Sequence, residues 1–263
     1  MPGPALRRRA TGAAAAGGEA TGVTPLDGRV RGTLVHQLLE RLDFARPAPP
    51  GADQVRALAA SHELELDPEH VEDIIAQVAA FARSPLCDRL AQAGGVRREA
   101  GFAFELSPGG GGPLVSGFVD VLARERDGST LIVDYKTDRR LDDEEPAVLV
   151  ERDYATQRMV YALAALHAGA PRVEVAYCLL ERPEEPVAAT FHETDAPALA
   201  DALLRLASGV LDERWPVAEQ PHRELCGDCP GRRALCSWPE AMTLRPPADA
   251  YEAGSLAGSG GPS

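Results

Sequence analysis

The sequence predicts an α/β fold, a central mixed sheet of about four strands flanked by helices. Three observations carry this. Apolar residues recur at helical spacing up to about residue 92, they alternate with a period of two from about residue 100, and the chain then returns to helix, strand and helix.

Residues 1–25 are rich in Ala, Gly and Pro and read as a disordered segment or linker, and 244–263 reads as a similar tail, leaving 26–243 as one domain. Val30, Leu34, Val35, Leu38, Leu39 and Leu42 share one helix face over about 28–43, and Pro47, Pro49 and Pro50 end it. Asp67-Pro68 is a helix start, an N-cap candidate followed by proline at the first position. Val71, Ile74, Ile75, Val78 and Phe81 continue that helix towards about residue 92. Ala100, Phe102, Phe104 and Leu106 then alternate as a first strand. The glycines at 109–112 turn the chain into a second strand over 114–123, and Asp127-Gly128 turns it into a third over 131–135. An antiparallel meander is the simplest arrangement of the three. A helix over about 152–167, a strand over 172–180 and a helix over about 196–212 complete the order.

Bulk composition narrows the function. Hydrophobic residues make up 44% of the chain, enough for a sizeable core. A net charge of -13 argues against tight, unassisted binding to nucleic acid, but allows a local basic groove or a DNA substrate delivered by a partner. No apolar run reaches membrane-spanning length. Arg7-Arg8-Arg9 followed by Ala13 to Ala16 is too short and too weakly apolar for a secretory signal, so the expected compartment is the cytoplasm. The five cysteines are then expected as thiols rather than disulfides.

Lys136 is the only lysine among 27 basic residues; all the others are arginine. An ammonium is a compact point charge with a tunable pKa, whereas a guanidinium is a planar, permanently charged fork. Asp134 lies two residues earlier on the apolar run Leu131-Ile132-Val133-Asp134-Tyr135-Lys136, so a carboxylate and an ammonium project from one face of a buried strand. The neighbouring strand carries Asp120 between Val119 and Val121. Alone, Asp120 reads as a strand-end residue capping a turn. Beside Asp134 it makes a pair of carboxylates that repel unless a cation lies between them, and hard oxygen donors of this kind suit Mg²⁺ or Mn²⁺.

Gly117-Phe118-Val119-Asp120 followed by Ile132-Val133-Asp134-Tyr135-Lys136-Thr137 resembles the motif of the PD-(D/E)XK nucleases in the RecB/AddA form. Gly32-Thr33-Leu34-Val35-His36 resembles that family's Gly-x-x-x-His helix, and Gln157-Arg158-Met159-Val160-Tyr161 its Gln-x-x-x-Tyr helix. The resemblance implies a restriction-endonuclease-like core and a metal-dependent deoxyribonuclease, an exonuclease of double-strand-break repair and recombination. It also implies roles: His36, Asp120 and Asp134 as metal ligands, the backbone carbonyl of Tyr135 completing the shell, and Lys136 as the catalytic lysine. Gln157 and Tyr161 are implied to contact the substrate or that lysine; packing between helices is the alternative. Glu99 either helps in the site or is solvated. Arg139 and Arg140 either contact the DNA backbone or balance Asp142, Asp143, Glu144 and Glu145 in a loop.

Cys226, Cys229 and Cys236 form a C-x2-C-x6-C cluster. Similar clusters close several RecB-like nucleases around a [4Fe–4S] centre, which needs four thiolates. No cysteine precedes His36, so a bound cluster, a zinc ion with Cys87 or His222 as an added ligand, and a vestigial cluster all stay open. The chain has no Gly-x-x-x-x-Gly-Lys-Ser/Thr phosphate loop, so a helicase motor is expected on a partner subunit or another domain. The competing reading is a nuclease-like DNA-binding or scaffolding module without catalysis.

Overall fold

The first helix, α1 (Gly28–Glu40), opens on Asp27, whose carboxylate accepts from the backbone N–H of Arg29 at 2.8 Å and of Val30 at 3.4 Å. The computed structural model describes residues 26–107, 111–137, 145–215 and 217–247. The expected disordered start at 1–25 and most of the expected tail lie outside these residues. Leu34, Val35, Leu38 and Leu39 bury one face of α1 as their spacing predicts.

Two helices depart from the expectation. The segment Ala52–Ser61 forms α2, burying Val55, Leu58 and Ala59, a stripe too short to stand out in the sequence beside the proline run. The single helix expected from 68 to about 92 is two: α3 (Pro68–Ala82) and α4 (Pro85–Ala91). Pro85 has no N–H to continue the ladder, and the Ser84 hydroxyl accepts from the Cys87 N–H at 3.2 Å, so the chain restarts with its own cap.

Five strands follow, one more than expected: β1 (Gly95–Glu105), β2 (Leu114–Arg124), β3 (Thr130–Lys136), β4 (Arg172–Leu179) and β5 (Val187–His192). Their spatial order is β1-β2-β3-β4-β5. The first three form the expected antiparallel meander. The crossover helix α5 (Pro146–His167) returns the chain so that β4 pairs parallel with β3, and β5 closes the edge antiparallel to β4. β5 escapes the sequence reading because it is six residues long and only half-buried along alternate positions. The helix α5 starts six residues before its expected start at 152, since Pro146, Leu149 and Val150 already bury its first turn.

The sheet separates two apolar layers. Leu131, Val133 and Tyr135 of β3 face α1–α4, while Ile132 faces α5 and α6 (Ala196–Leu211). One irregularity interrupts this alternation. Val96 packs on the α1–α4 side but Ala100, Phe102 and Phe104 pack on the α5 side, although residues four apart on a regular strand share a face. β2 switches the same way between Val119 and Val121. The register places Glu99 opposite Asp120 at this turnover, and Glu99 has a left-handed φ of 44°, rare for a residue with a side chain.

The chain divides into two compact units at Arg205/Leu206. The second unit is rich in turns, with two short helices, α7 (Arg223–Cys226) and α8 (Glu240–Leu244). The Trp238 indole N–H donates to the Ala218 carbonyl at 2.8 Å, and the Arg245 Nε to the Pro221 carbonyl at 2.8 Å. Among the described residues no helix is long and apolar enough to cross a membrane.

Arg89 of α4 fastens the helical layer to the sheet through forked bonds to two carboxylates. It meets Glu125 at 2.8 and 2.8 Å and Glu174 at 2.6 and 3.0 Å. Arg89→Met is expected to lower stability by about 1–2 kcal/mol, a figure discounted for partial exposure, seen as a lower urea midpoint. Hydrogen bonding to Arg89 holds the Glu125 carboxyl below its ordinary range. This contribution is therefore present above the ordinary carboxylate range and is lost as pH falls through the lowered value, so the deficit of the variant should shrink in acid.

Candidate active site

β2 and β3 part company at one end. Their pairing runs from Arg124↔Thr130 to Val121↔Val133 and stops there. At the next position Asp120 replaces the ladder: its Oδ2 accepts from the Tyr135 backbone N–H at 2.7 Å. The gap lets the helical layers reach the strand ends from either face.

On the α5 side, Asp134 and Lys136 point off β3 as their spacing predicts. The side chains are 4% and 14% exposed, and Lys136 Nζ lies 2.7 Å from Asp134 Oδ2. This is a close ion pair, but Oδ2 receives no aligned hydrogen bond and is buried. Gln157 and Tyr161, one turn apart on α5, close a ring around the pair. Lys136 Nζ donates to Gln157 Oε1 at 3.0 Å, Gln157 Nε2 donates to the Tyr161 hydroxyl at 2.8 Å, and that hydroxyl donates to Asp134 Oδ1 at 3.0 Å. The Phe118 carbonyl lies 3.2 Å from the same hydroxyl as an alternative acceptor. Burial first, and then the charge of Asp120, pushes the Asp134 carboxyl up, against the opposing pull of Lys136 and Tyr161.

On the other side, α1 presents His36 to Asp120, with Nδ1 3.4 Å from Oδ1. Burial alone would lower the imidazole pKa, but the hydrogen bond and charge of Asp120 outweigh it and the net shift is upward. Glu99 sits beside this pair, its carboxyl pushed up by burial and then by the charges of Asp120 and Glu40. Tyr135 has its backbone between Asp134 and Lys136, and its ring turns to the opposite face, 4.8 Å from Phe81. Arg139 and Arg140 lie outside the described residues.

Three residues support the site in ways that the sequence reading assigned to none of them. Arg31 Nη2 donates to the Thr137 carbonyl at 2.6 Å and Nη1 lies 3.7 Å from Asp73, which pins α1 to the end of β3. Gly32 permits the approach: a Cβ there would lie 3.0 Å from the Thr137 hydroxyl. Tyr154, one turn before Gln157, places its ring 4.0 Å from Lys136 Nζ and stacks on Tyr177 of β4 at 5.5 Å. The i−3 spacing of Tyr154 from Gln157 was the available signal.

Among the described residues no three His, Cys, Asp or Glu side chains converge as a group that could hold a metal ion. Asp120 is engaged by His36 and Tyr135, and Asp134 by Lys136 and Tyr161. The donor chemistry nevertheless fits a hard divalent cation, with an imidazole, two carboxylates of which one raises the other's pKa, and the buried Asp134 Oδ2 lacking an aligned donor. The cysteines do not fit a [4Fe–4S] centre in the same way. Cys226 is buried, Cys229 exposed and Cys236 half-buried, and no fourth thiolate joins them among the described residues. Cys87 and Cys178 are committed to the core of the first unit, where burial pushes their thiols up to about 11 and about 12.

The sequence matches the PD-(D/E)XK nuclease superfamily over residues 8–236. The chain belongs to that superfamily, and its five-stranded mixed sheet with flanking helices is the restriction-endonuclease-like fold. It is thereby a nuclease by family, a hydrolase acting on nucleic-acid ester bonds. No curated protein matches it. Among solved structures it is similar to a presumed exonuclease from Eubacterium rectale, at 16% identity over 84% of this chain and 80% of that one, with a TM-score of 0.48. It is also similar to the protein SSO0001, at 15% identity over 80% of this chain and 94% of that one, with a TM-score of 0.35.

Tyr161→Phe removes the hydroxyl on which Gln157 and Asp134 converge. It leaves buried groups without partners, so a loss of about 1–3 kcal/mol is expected. An unchanged denaturation midpoint would show that this hydroxyl contributes nothing to the fold.

Proposed function

We propose that this chain is a metal-dependent deoxyribonuclease, an exonuclease of the RecB/AddA type serving double-strand-break repair and recombination in the cytoplasm. In this reading it is the nuclease part of a helicase–nuclease whose motor lies on a partner subunit or another domain. The observation that carries the reading is Lys136, the sole lysine of the chain, held 2.7 Å from Asp134 and 3.0 Å from Gln157 where β2 and β3 separate.

His36, Asp120, Asp134 and the Tyr135 carbonyl are the residues that would hold Mg²⁺ or Mn²⁺. Such an ion, when bound, activates water and neutralises charge at the scissile phosphate. The residues of the chain itself do the rest. Lys136 places a positive charge at the phosphate or orients the attacking water, and Gln157, Asp134 and the Tyr154 ring fix where its ammonium points. Tyr161 keeps Asp134 from turning away by donating to Oδ1.

Cleavage should require added Mg²⁺ or Mn²⁺ and vanish with a chelator; undiminished cleavage after exhaustive chelation would remove the metal mechanism. On end-labelled DNA, linear molecules should be degraded and closed circles spared if the enzyme is an exonuclease. Lys136→Arg should lower the rate on the order of 100-fold or more, because a guanidinium is bulkier and does not reproduce a point charge. That variant should still bind metal, whereas Asp134→Asn should lose both metal affinity and activity.

Asp134 is already paired with Lys136 and hydrogen-bonded by Tyr161, and this favours a second reading, a nuclease-like DNA-binding or scaffolding module. DNA binding with no cleavage under any divalent metal would select it. In either reading the net charge of -13 predicts weak binding by the isolated chain with a steep salt dependence. Titration at two salt concentrations measures this.

A further inference from the structure

Phe118 stands apart from the other phenylalanines. Phe44, Phe81 and Phe104 are buried and Phe102 and Phe191 half-buried, whereas Phe118 is 66% exposed. A single exposed apolar side chain is ordinary; its position is not. Phe118 lies two residues before Asp120 on β2, a rise of about 6.8 Å. Its carbonyl sits 3.2 Å from the Tyr161 hydroxyl that holds Asp134, so its backbone is tied into the candidate site.

Among the described residues, its partners across the strand pair are small. Gly101 pairs with Phe118 and Ala103 with Ser116, and all four are exposed. The ring leans over Gly101, where a Cβ would lie 3.3 Å from it. None of these neighbours is large enough to cover the outer face of the ring. An aromatic face open to solvent beside a phosphodiester-cleaving site suits a flat, unsaturated partner carried by the substrate. A chain of net charge -13 gains little from bulk Coulomb attraction to a polyanion, so a stacking contact, which salt does not screen, would supply affinity that charge does not.

We infer that Phe118 is a stacking post for an unpaired nucleobase of the strand being cut. The inference rests on the nuclease reading and deepens it: the substrate at this site is a single-stranded or frayed end, since a base within a duplex has its faces covered by its neighbours.

The test uses the full chain, with Mg²⁺ or Mn²⁺, on single-stranded oligonucleotides that carry one abasic position moved along the sequence. Phe118→Ala should raise KM by roughly 5- to 100-fold, the range of one stacked base, with a smaller effect on kcat. Phe118→Trp should restore it. The ratio of the two KM values should hold between low and high salt. One abasic position near the cut should erase the difference between wild type and Phe118→Ala, because the partner of the ring is then missing. An unchanged KM in Phe118→Ala overturns the inference. So does a penalty that is the same on every abasic substrate, which would point to a protein partner or a structural role. Both of those outcomes leave the nuclease reading standing, whereas a wild type that cuts no DNA with either metal removes both.

Discussion

The early end of the β2–β3 ladder governs this site. In a continuous antiparallel pair the backbone of β3 would stay bonded to β2 past Val121 and Val133. Here the Asp120 carboxylate takes the Tyr135 N–H that a backbone carbonyl would otherwise use, and the strands diverge around it. The sidedness switch at Glu99 and Asp120 belongs to the same event, because it turns β1 and β2 over at the level where β3 leaves them. At that level His36 from one layer and Tyr161 from the other meet the same pair of strands.

Buried charge makes the supporting ring necessary. A carboxylate as covered as Asp134 is costly unless it is paired and hydrogen-bonded, and Lys136 and Tyr161 provide both. The amide of Gln157 links the two donors, with its oxygen facing the ammonium and its nitrogen facing the phenol. The orientation of this amide is thus set by its neighbours at both ends.

Much of this was legible in the sequence, because the informative residues lie close together on strongly patterned segments. Asp120, Asp134 and Lys136 stand out as charges on apolar strands, and Gln157 and Tyr161 as a one-turn pair. The chain also shows the limits of pattern. Pro85 interrupts a stripe whose periodicity runs straight through it, and β5 and α2 are too short for periodicity to register. The approach of Arg31 to the Thr137 carbonyl depends on how α1 docks, and nothing local in either segment encodes it. Tyr154 carries the same lesson, since its role comes from Tyr177 and Lys136 on two different strands.

The residues of the site are spread through the chain in an order that matters during synthesis. The bond from Arg31 to Thr137 closes a separation of 106 residues, and that from Tyr161 to Asp134 one of 27. The β1–β3 meander is local and can form as it emerges, whereas α5 leaves the ribosome only after both carboxylates and the lysine have done so. Until α5 docks, Asp134 and Lys136 remain hydrated on an open sheet face. The nascent chain therefore carries its acidic residues before it can desolvate them, and the site acquires its electrostatic character only with the crossover that lays β4 against β3.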